Sequence, residues 1–279
     1  MNVSHTQSTS KKSSMLSGHN TEILRRIGYG AKGILYGVLG MLAVTSAFGA
    51  GSQNLGFKDA IQWVTEQPFG AVILGILILG LVSYSLYRLG TAIFDLENNG
   101  SDKKAIAKRI GYLCSGLAYA ALAVFASSQL FAGQSSSGGT TKNQLVGMLL
   151  DNTAGMIFLG VVAGGLILAG LNQLYRGWTG KYRDRFAMSE LPSGTSRFVK
   201  WSARLGLTSR AIIFGLMGYL LVLAVLQSNP NQAGGTEKAL SWLSGTTASS
   251  WLFALVAAGL VAYAIYAAAI AYCGKFRTA

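Results

Sequence analysis

Apolar positions dominate six stretches of this chain, near residues 33–48, 69–87, 110–132, 153–175, 211–227 and 251–274, and polar segments separate them. A bilayer-spanning helix needs about 20 mostly apolar residues, so each stretch is read as a transmembrane helix. The first is short. It starts earlier, near Gly28, with Lys32 reaching back to the interface along its methylene stem. The pattern predicts an all-α integral membrane protein of six transmembrane helices.

The pattern also repeats. Arg26-Ile27-Gly28-Tyr29 returns as Arg109-Ile110-Gly111-Tyr112 and again as Arg204-Leu205-Gly206-Leu207. Eight residues after each of those glycines stands an aromatic: Tyr36, Tyr119 or Phe214. The segment Gly80-Leu81-Val82-Ser83-Tyr84-Ser85-Leu86-Tyr87 returns as Gly259-Leu260-Val261-Ala262-Tyr263-Ala264-Ile265-Tyr266. The offset is 178 residues at Gly28/Gly206 and 179 at Gly80/Gly259. Register kept across two helices means tandem duplication of a two-helix unit. The expected organisation is a disordered cytoplasmic tail at 1–23, repeat 1 at 24–97, repeat 2 at 98–180, and a cytoplasmic linker plus repeat 3 at 181–279. Each hairpin starts and ends on the same side, so rotation about the membrane normal relates the units. Three such tandem hairpins are expected to close into a pseudo-threefold bundle.

Charge then orients the chain. The net charge is +13. All Lys and Arg except Lys58, Lys142 and Lys238 fall in segments on one side of the six spans. The positive-inside rule puts that side, with both termini, in the cytoplasm. Topology accounts for the basic excess, so no nucleic-acid partner is expected. No secretory signal precedes the first span. Cys114 and Cys273 fall near cytoplasmic ends, where a disulfide is not expected, and are read as small packed residues.

Within each unit the parts differ in chemistry. A basic amphipathic stretch comes first: Phe198, Trp201 and Leu205 share a helical face flanked by Arg197, Lys200 and Arg204. Such a helix lies at the headgroup boundary. Arg26, Arg109, Lys200 and Arg204 are therefore the candidate interface with anionic lipid. The first span follows, with Gly33 and Gly37 as a small-xxx-small pair for close helix approach, and Gly215 and Gly218 on the corresponding surface of repeat 3. The outer loops of repeats 1 and 3 hold amphipathic pieces ending in Trp63 and Trp242, expected as short helices anchored at the outer interface. The Lys142–Gly147 stretch is their counterpart without a tryptophan. The second span carries tyrosines three residues apart on one face, Tyr84 with Tyr87 and Tyr263 with Tyr266. Repeat 2 breaks this symmetry: Ala169 and Asn172 stand at those places, and Gln173 at that of Arg88. Tyr84, Tyr87, Arg88, Asn172, Gln173, Tyr263 and Tyr266 are the candidate cavity or partner-contact residues.

The triple Arg-[Ile/Leu]-Gly unit, the Gly33–Tyr36 region and the Gly-Leu-x-x-Tyr-x-x-Tyr segments resemble the DUF1206 family of bacterial membrane proteins, in which a two-span module occurs three times. The resemblance covers roughly 24–273. It implies the fold and a bacterial plasma (inner) membrane location. Its motif positions are glycines and aromatics, so it carries over no catalytic residue and names no activity.

Chemistry-bearing motifs are otherwise sparse. Gly28-Tyr29-Gly30-Ala31-Lys32-Gly33 spells G-x-G-x-x-G, but it opens a membrane span instead of following a β-strand, so it is read as helix packing. The two histidines, His5 and His19, lie in the tail, and no Cys/His cluster has metal-ligand spacing. No serine sits in a nucleophile elbow. All ten Asp and Glu fall outside the predicted spans, whereas ion-coupled transporters bury carboxylates at the midplane. No enzyme activity and no cofactor are expected. The leading expectation is a structural, accessory or lipid-interacting membrane protein, with anionic headgroups or another membrane complex as partners. The alternative is a passive channel or permease for a small solute along the inter-repeat axis.

Overall fold

The computed structural model describes residues 4–49, 55–95, 102–132, 146–180, 193–245 and 250–273. The described elements are helical throughout: α1 (Ser4–Ala47), α2 (Phe57–Thr65), α3 (Gly70–Phe94), α4 (Lys103–Ala132), α5 (Thr153–Thr179), α6 (Ser193–Leu226), α7 (Thr236–Ser244) and α8 (Ser250–Cys273). Residues 146–150 add a short helical piece before α5. Six helices are long and apolar enough to cross a membrane: Glu22–Ala47, Gly70–Phe94, Ala105–Phe131, Thr153–Thr179, Ser196–Leu226 and Trp251–Tyr272. These are the six spans expected from the apolar pattern. Their outward faces carry exposed Val72, Leu79, Val124, Val161, Leu168 and Leu255, a surface suited to lipid chains and not to water.

The basic amphipathic stretches are continuous with the spans. α1 starts at Ser4 and α6 at Ser193, so the segment expected as a disordered tail is helical from Ser4. No proline interrupts either stretch. Extending an existing helix adds a hydrogen bond per residue without a new nucleation cost. The linker at 181–192 and most of the Lys142–Gly147 stretch lie outside the described residues.

The spans pack in the order α4, α3, α1, α8, α6, α5. α1 and α8 form the most buried pair; α4 and α5 are the least buried. No packing of comparable extent joins α4 to α5 among the described residues. The middle hairpin is thus open, while those of repeats 1 and 3 are closed.

The contacts between units use equivalent positions three times. Ser85 Oγ on α3 donates to the Gly116 carbonyl on α4 at 2.9 Å. The same register places a methyl at Gly170 on α5 2.9 Å from the Ala211 carbonyl on α6, and a methyl at Gly33 on α1 3.4 Å from the Ala264 carbonyl on α8. Small residues at these crossings let the backbones approach. Contacts within units are made twice. A methyl at Gly28 would lie 2.6 Å from Tyr84 Cβ, and one at Gly206 2.5 Å from Tyr263 Cα. At Gly111, the equivalent glycine of repeat 2, nothing lies within 4 Å. Gly165, the counterpart of Gly80 and Gly259, is equally open. Gly37 meets Ala264 of α8 as its small side predicts, but Gly215 faces open space.

The short helices α2 and α7 cap this bundle. Ala60, Ile61 and Val64 of α2 and Ala239, Leu240 and Leu243 of α7 are buried in the main core. Trp63 and Trp242 stay partly exposed on their outer sides. Asp59 accepts from the Gly56 N–H at 2.8 Å and so fixes the start of α2.

Candidate functional site: a buried cation and tyrosine network

Each first span places a side chain four residues past the repeat glycine, on the same helix face. In repeats 1 and 3 that side chain is a cation, Lys32 or Arg210; in repeat 2 it is Ser115. Lys32 does not reach out to an interface. It is 5% exposed, with Nζ 3.7 Å from the Tyr84 ring centroid, 4.6 Å from Tyr119 and 5.5 Å from Tyr29. The glycine one turn back brings α3 so close that outward extension gives way to the aromatic faces inside. Arg210 repeats the arrangement. Its guanidinium carbon lies 4.5 Å from the Tyr263 centroid, 5.1 Å from Tyr36 and 5.2 Å from Phe214. Its Nη1 donates to the Tyr263 hydroxyl.

Each cation therefore stacks on the tyrosine of its own second span and on the aromatic of the neighbouring unit. The rings meet directly. Tyr84 is 4.8 Å from Tyr119, and Tyr263 is 4.6 Å from Tyr36, both edge to face. Tyr36 and Tyr119 thus each meet a second-span tyrosine of a neighbouring unit. Arg88 extends the network toward the end of α3. Its Nε donates to the Tyr84 hydroxyl at 2.6 Å, and its guanidinium lies over Tyr87 and, at 4.8 Å, Tyr112. Six residues separate Arg88 from Phe94, so it sits about 9 Å inside the helix end. Arg88 Nη1 and Arg210 Nε are enclosed and have no hydrogen-bond partner.

The tyrosines singled out from sequence thus converge. Tyr84, Tyr87, Tyr263 and Tyr266 are all buried. Arg88 joins them. Asn172 does not: it is exposed on α5, and Gln173 is half-buried there, because α5 packs on α6 and leaves the tyrosine network. Lys32, Arg210, Tyr36 and Tyr119 are functional candidates that the sequence reading missed.

Three of the four basic residues assigned to lipid have local partners. Arg26 pairs with Glu22 at 2.8 Å. Arg109 donates from Nε to the Ala92 carbonyl at 2.8 Å and from Nη2 to that of Ile93 at 2.7 Å, and so satisfies the last carbonyls of α3. Arg204 lies over Trp201 at 5.7 Å with its Nε enclosed. Lys200 is half-buried. Cys114 is a free thiol and is exposed, not packed; the Cys273 side chain lies outside the described residues. No group of His, Cys, Asp and Glu able to hold a metal occurs among the described residues.

Six apolar helices, three repeated hairpins and a core of glycines and aromatics define a multi-pass helical membrane protein. Three segments, 27–95, 110–180 and 205–274, each match the Domain of Unknown Function (DUF1206). The chain belongs to that family. It is also similar to the Uncharacterized protein YxxB of Bacillus subtilis (strain 168), with 29% identity over 242 residues, 87% of each chain. No solved structure matches it.

Proposed function

We propose that this protein is an accessory or lipid-interacting component of a bacterial plasma membrane, not an enzyme and not a solute pathway, with both termini in the cytoplasm. The observation that carries the reading is the filled interior. Tyr36, Tyr84, Tyr119 and Tyr263 pack edge to face between α1, α3, α4 and α8, where a conducting axis would need water and recurring polar groups. The contacts given above for this network involve no Asp, Glu, His or Cys among the described residues. Anionic headgroups at the basic rim, or another membrane complex seated against the open middle hairpin, are the partners this reading implies.

Two measurements test it. In reconstituted liposomes, flux of small solutes and ions should equal that of empty vesicles. Flux above that level that falls in Asn172→Leu would favour a permease instead. For topology, single cysteines at residues 58, 103 and 183 should divide: the first labelled from outside, the others only after the membrane is permeabilised. The opposite pattern would reverse the orientation drawn from the Lys and Arg asymmetry.

A further inference from the structure

One whole face of α5 is left without a neighbour. Leu159, Ala163, Gly170 and Gly177 are buried on the side that packs against α6. On the opposite side Phe158, Val161, Gly165, Leu168, Asn172 and Tyr175 are all exposed. Their spacing alternates between three and four residues, the seven-residue repeat by which one helix meets another along its length. Phe158, Gly165 and Asn172 take the first seam position of that repeat; Val161, Leu168 and Tyr175 take the second. A methyl at Gly165 meets nothing within 4 Å, which leaves room for a partner backbone to approach closely. No described residue covers this seam.

For its apolar side chains lipid is an adequate neighbour, but not for Asn172. α5 runs 27 residues. That is about 40 Å, and it overruns a hydrocarbon core of about 30 Å by about 5 Å at each end. Asn172 stands two helical turns before Thr179, about 10 Å from that end. Its amide therefore lies about 5 Å inside the hydrocarbon, and its short stem cannot carry it back to the headgroups. The amide is donor and acceptor at once. It makes no hydrogen bond to a described residue, and acyl chains offer none. Tyr87 and Tyr266, which hold the equivalent place in the other two units, are buried.

We infer that a second copy of this chain occupies the seam, as a parallel α5–α5 pair about a two-fold axis along the membrane normal, with the Asn172 amides of the two copies bonded to each other. The repeat is that of helix on helix, so the partner is a helix. It has to hold a donor and an acceptor at the depth of Asn172. A two-fold axis along the normal keeps both copies in the same membrane orientation and sets each residue on the axis opposite its own counterpart. Each amide then donates to the other and accepts from it. In parallel two-stranded pairs a single Asn at the first seam position fixes register and strand number, and amides bonded between helices hold membrane helices together. The inference goes beyond the accessory reading and is independent of it: excess solute flux would overturn that reading and leave the pair standing.

The test is the association of the full chain in phosphatidylcholine vesicles. Förster transfer between donor- and acceptor-labelled copies should follow a monomer–dimer equilibrium. With Cys114 and Cys273 replaced by alanine, Leu168→Cys should cross-link into a dimer on oxidation, and Leu79→Cys, on the exposed face of α3, should not. Asn172→Leu and Gly165→Leu should each raise the dimer dissociation constant about tenfold, the scale of an interhelical polar contact in membrane peptides. Both residues are exposed, so the melting midpoint of the monomer should stay at the wild-type value. Should one variant fail to fold, the other and the wild-type cross-link decide. A monomeric wild-type chain would overturn the proposal and leave the seam to lipid; a monomer that carries a different membrane protein against α5 would overturn it in favour of that protein. Cross-linking through Leu79→Cys in place of Leu168→Cys, or an Asn172→Leu dimer as tight as wild type, would overturn it as well.

Discussion

Gly206→Ala is expected to lower the thermal stability of the purified protein by about 1–3 kcal/mol, the usual cost of overpacking a close contact, while Gly111→Ala is expected to leave it unchanged or slightly raised. The two glycines occupy the same place in two copies of one unit. At Gly206 the added methyl would sit 2.5 Å from Tyr263 Cα and 2.7 Å from its backbone nitrogen. Backbone on a neighbouring helix cannot swing aside as a flexible side chain can, so α6 and α8 must separate and the Arg210 stacking loosens with them. At Gly111 the methyl meets nothing, and alanine favours helix over glycine by up to about 1 kcal/mol. Gly28→Ala should behave like Gly206→Ala, since Tyr84 Cβ stands 2.6 Å away. Melting curves in detergent for the three variants check this. A Gly111→Ala protein as damaged as Gly206→Ala would mean that the middle hairpin closes like the other two.

This contrast also shows what could be read from the chain. The apolar runs located every span because length and hydropathy are local properties. The repeat register predicted which residues would be equivalent, and the contacts between units at Ser85/Gly116, Gly170/Ala211 and Ala264/Gly33 obey it. The open middle hairpin was signalled only as lost symmetry at Ala169 and Asn172. A small residue reads the same whether its neighbour is close or absent, so spacing alone could not tell a tight crossing from a gap. The same ambiguity turned Asn172 from a candidate lining residue into an exposed one.

Lys32 and Arg210 were misread for a different reason. Basic residues near the ends of apolar runs are normally interface anchors, and counting them as such gave a sensible topology. The signal that separates them from anchors is positional. Lys32 and Arg210 both stand four residues past the repeat glycine, on the face that glycine presents to a partner helix. A cation on that face looks into the bundle and not toward headgroups. Alignment of the first and third units at this one position, with Ser115 in the second, was enough to reveal it.

Tyr263→Phe is expected to destabilise the protein by about 1–3 kcal/mol, out of proportion to the loss of one oxygen atom. The hydroxyl is the acceptor for Arg210 Nη1, and Arg210 Nε already lacks a partner. Removing the acceptor leaves a second donor without its partner on a half-buried cation, and an unsatisfied donor shielded from water costs up to the penalty of its lost hydration. The ring itself remains, so the stacking at 4.5 Å survives, and any loss reports on the polar contact alone. Combining Tyr263→Phe with Arg210→Met removes donor and acceptor together. Replacing a buried charged group and its partner by apolar side chains of similar size is often neutral or stabilising, so the double variant should recover wild-type stability or exceed it. The coupling energy from this cycle isolates the pair. A double variant less stable than Tyr263→Phe alone would instead make the cation a structural member of the core.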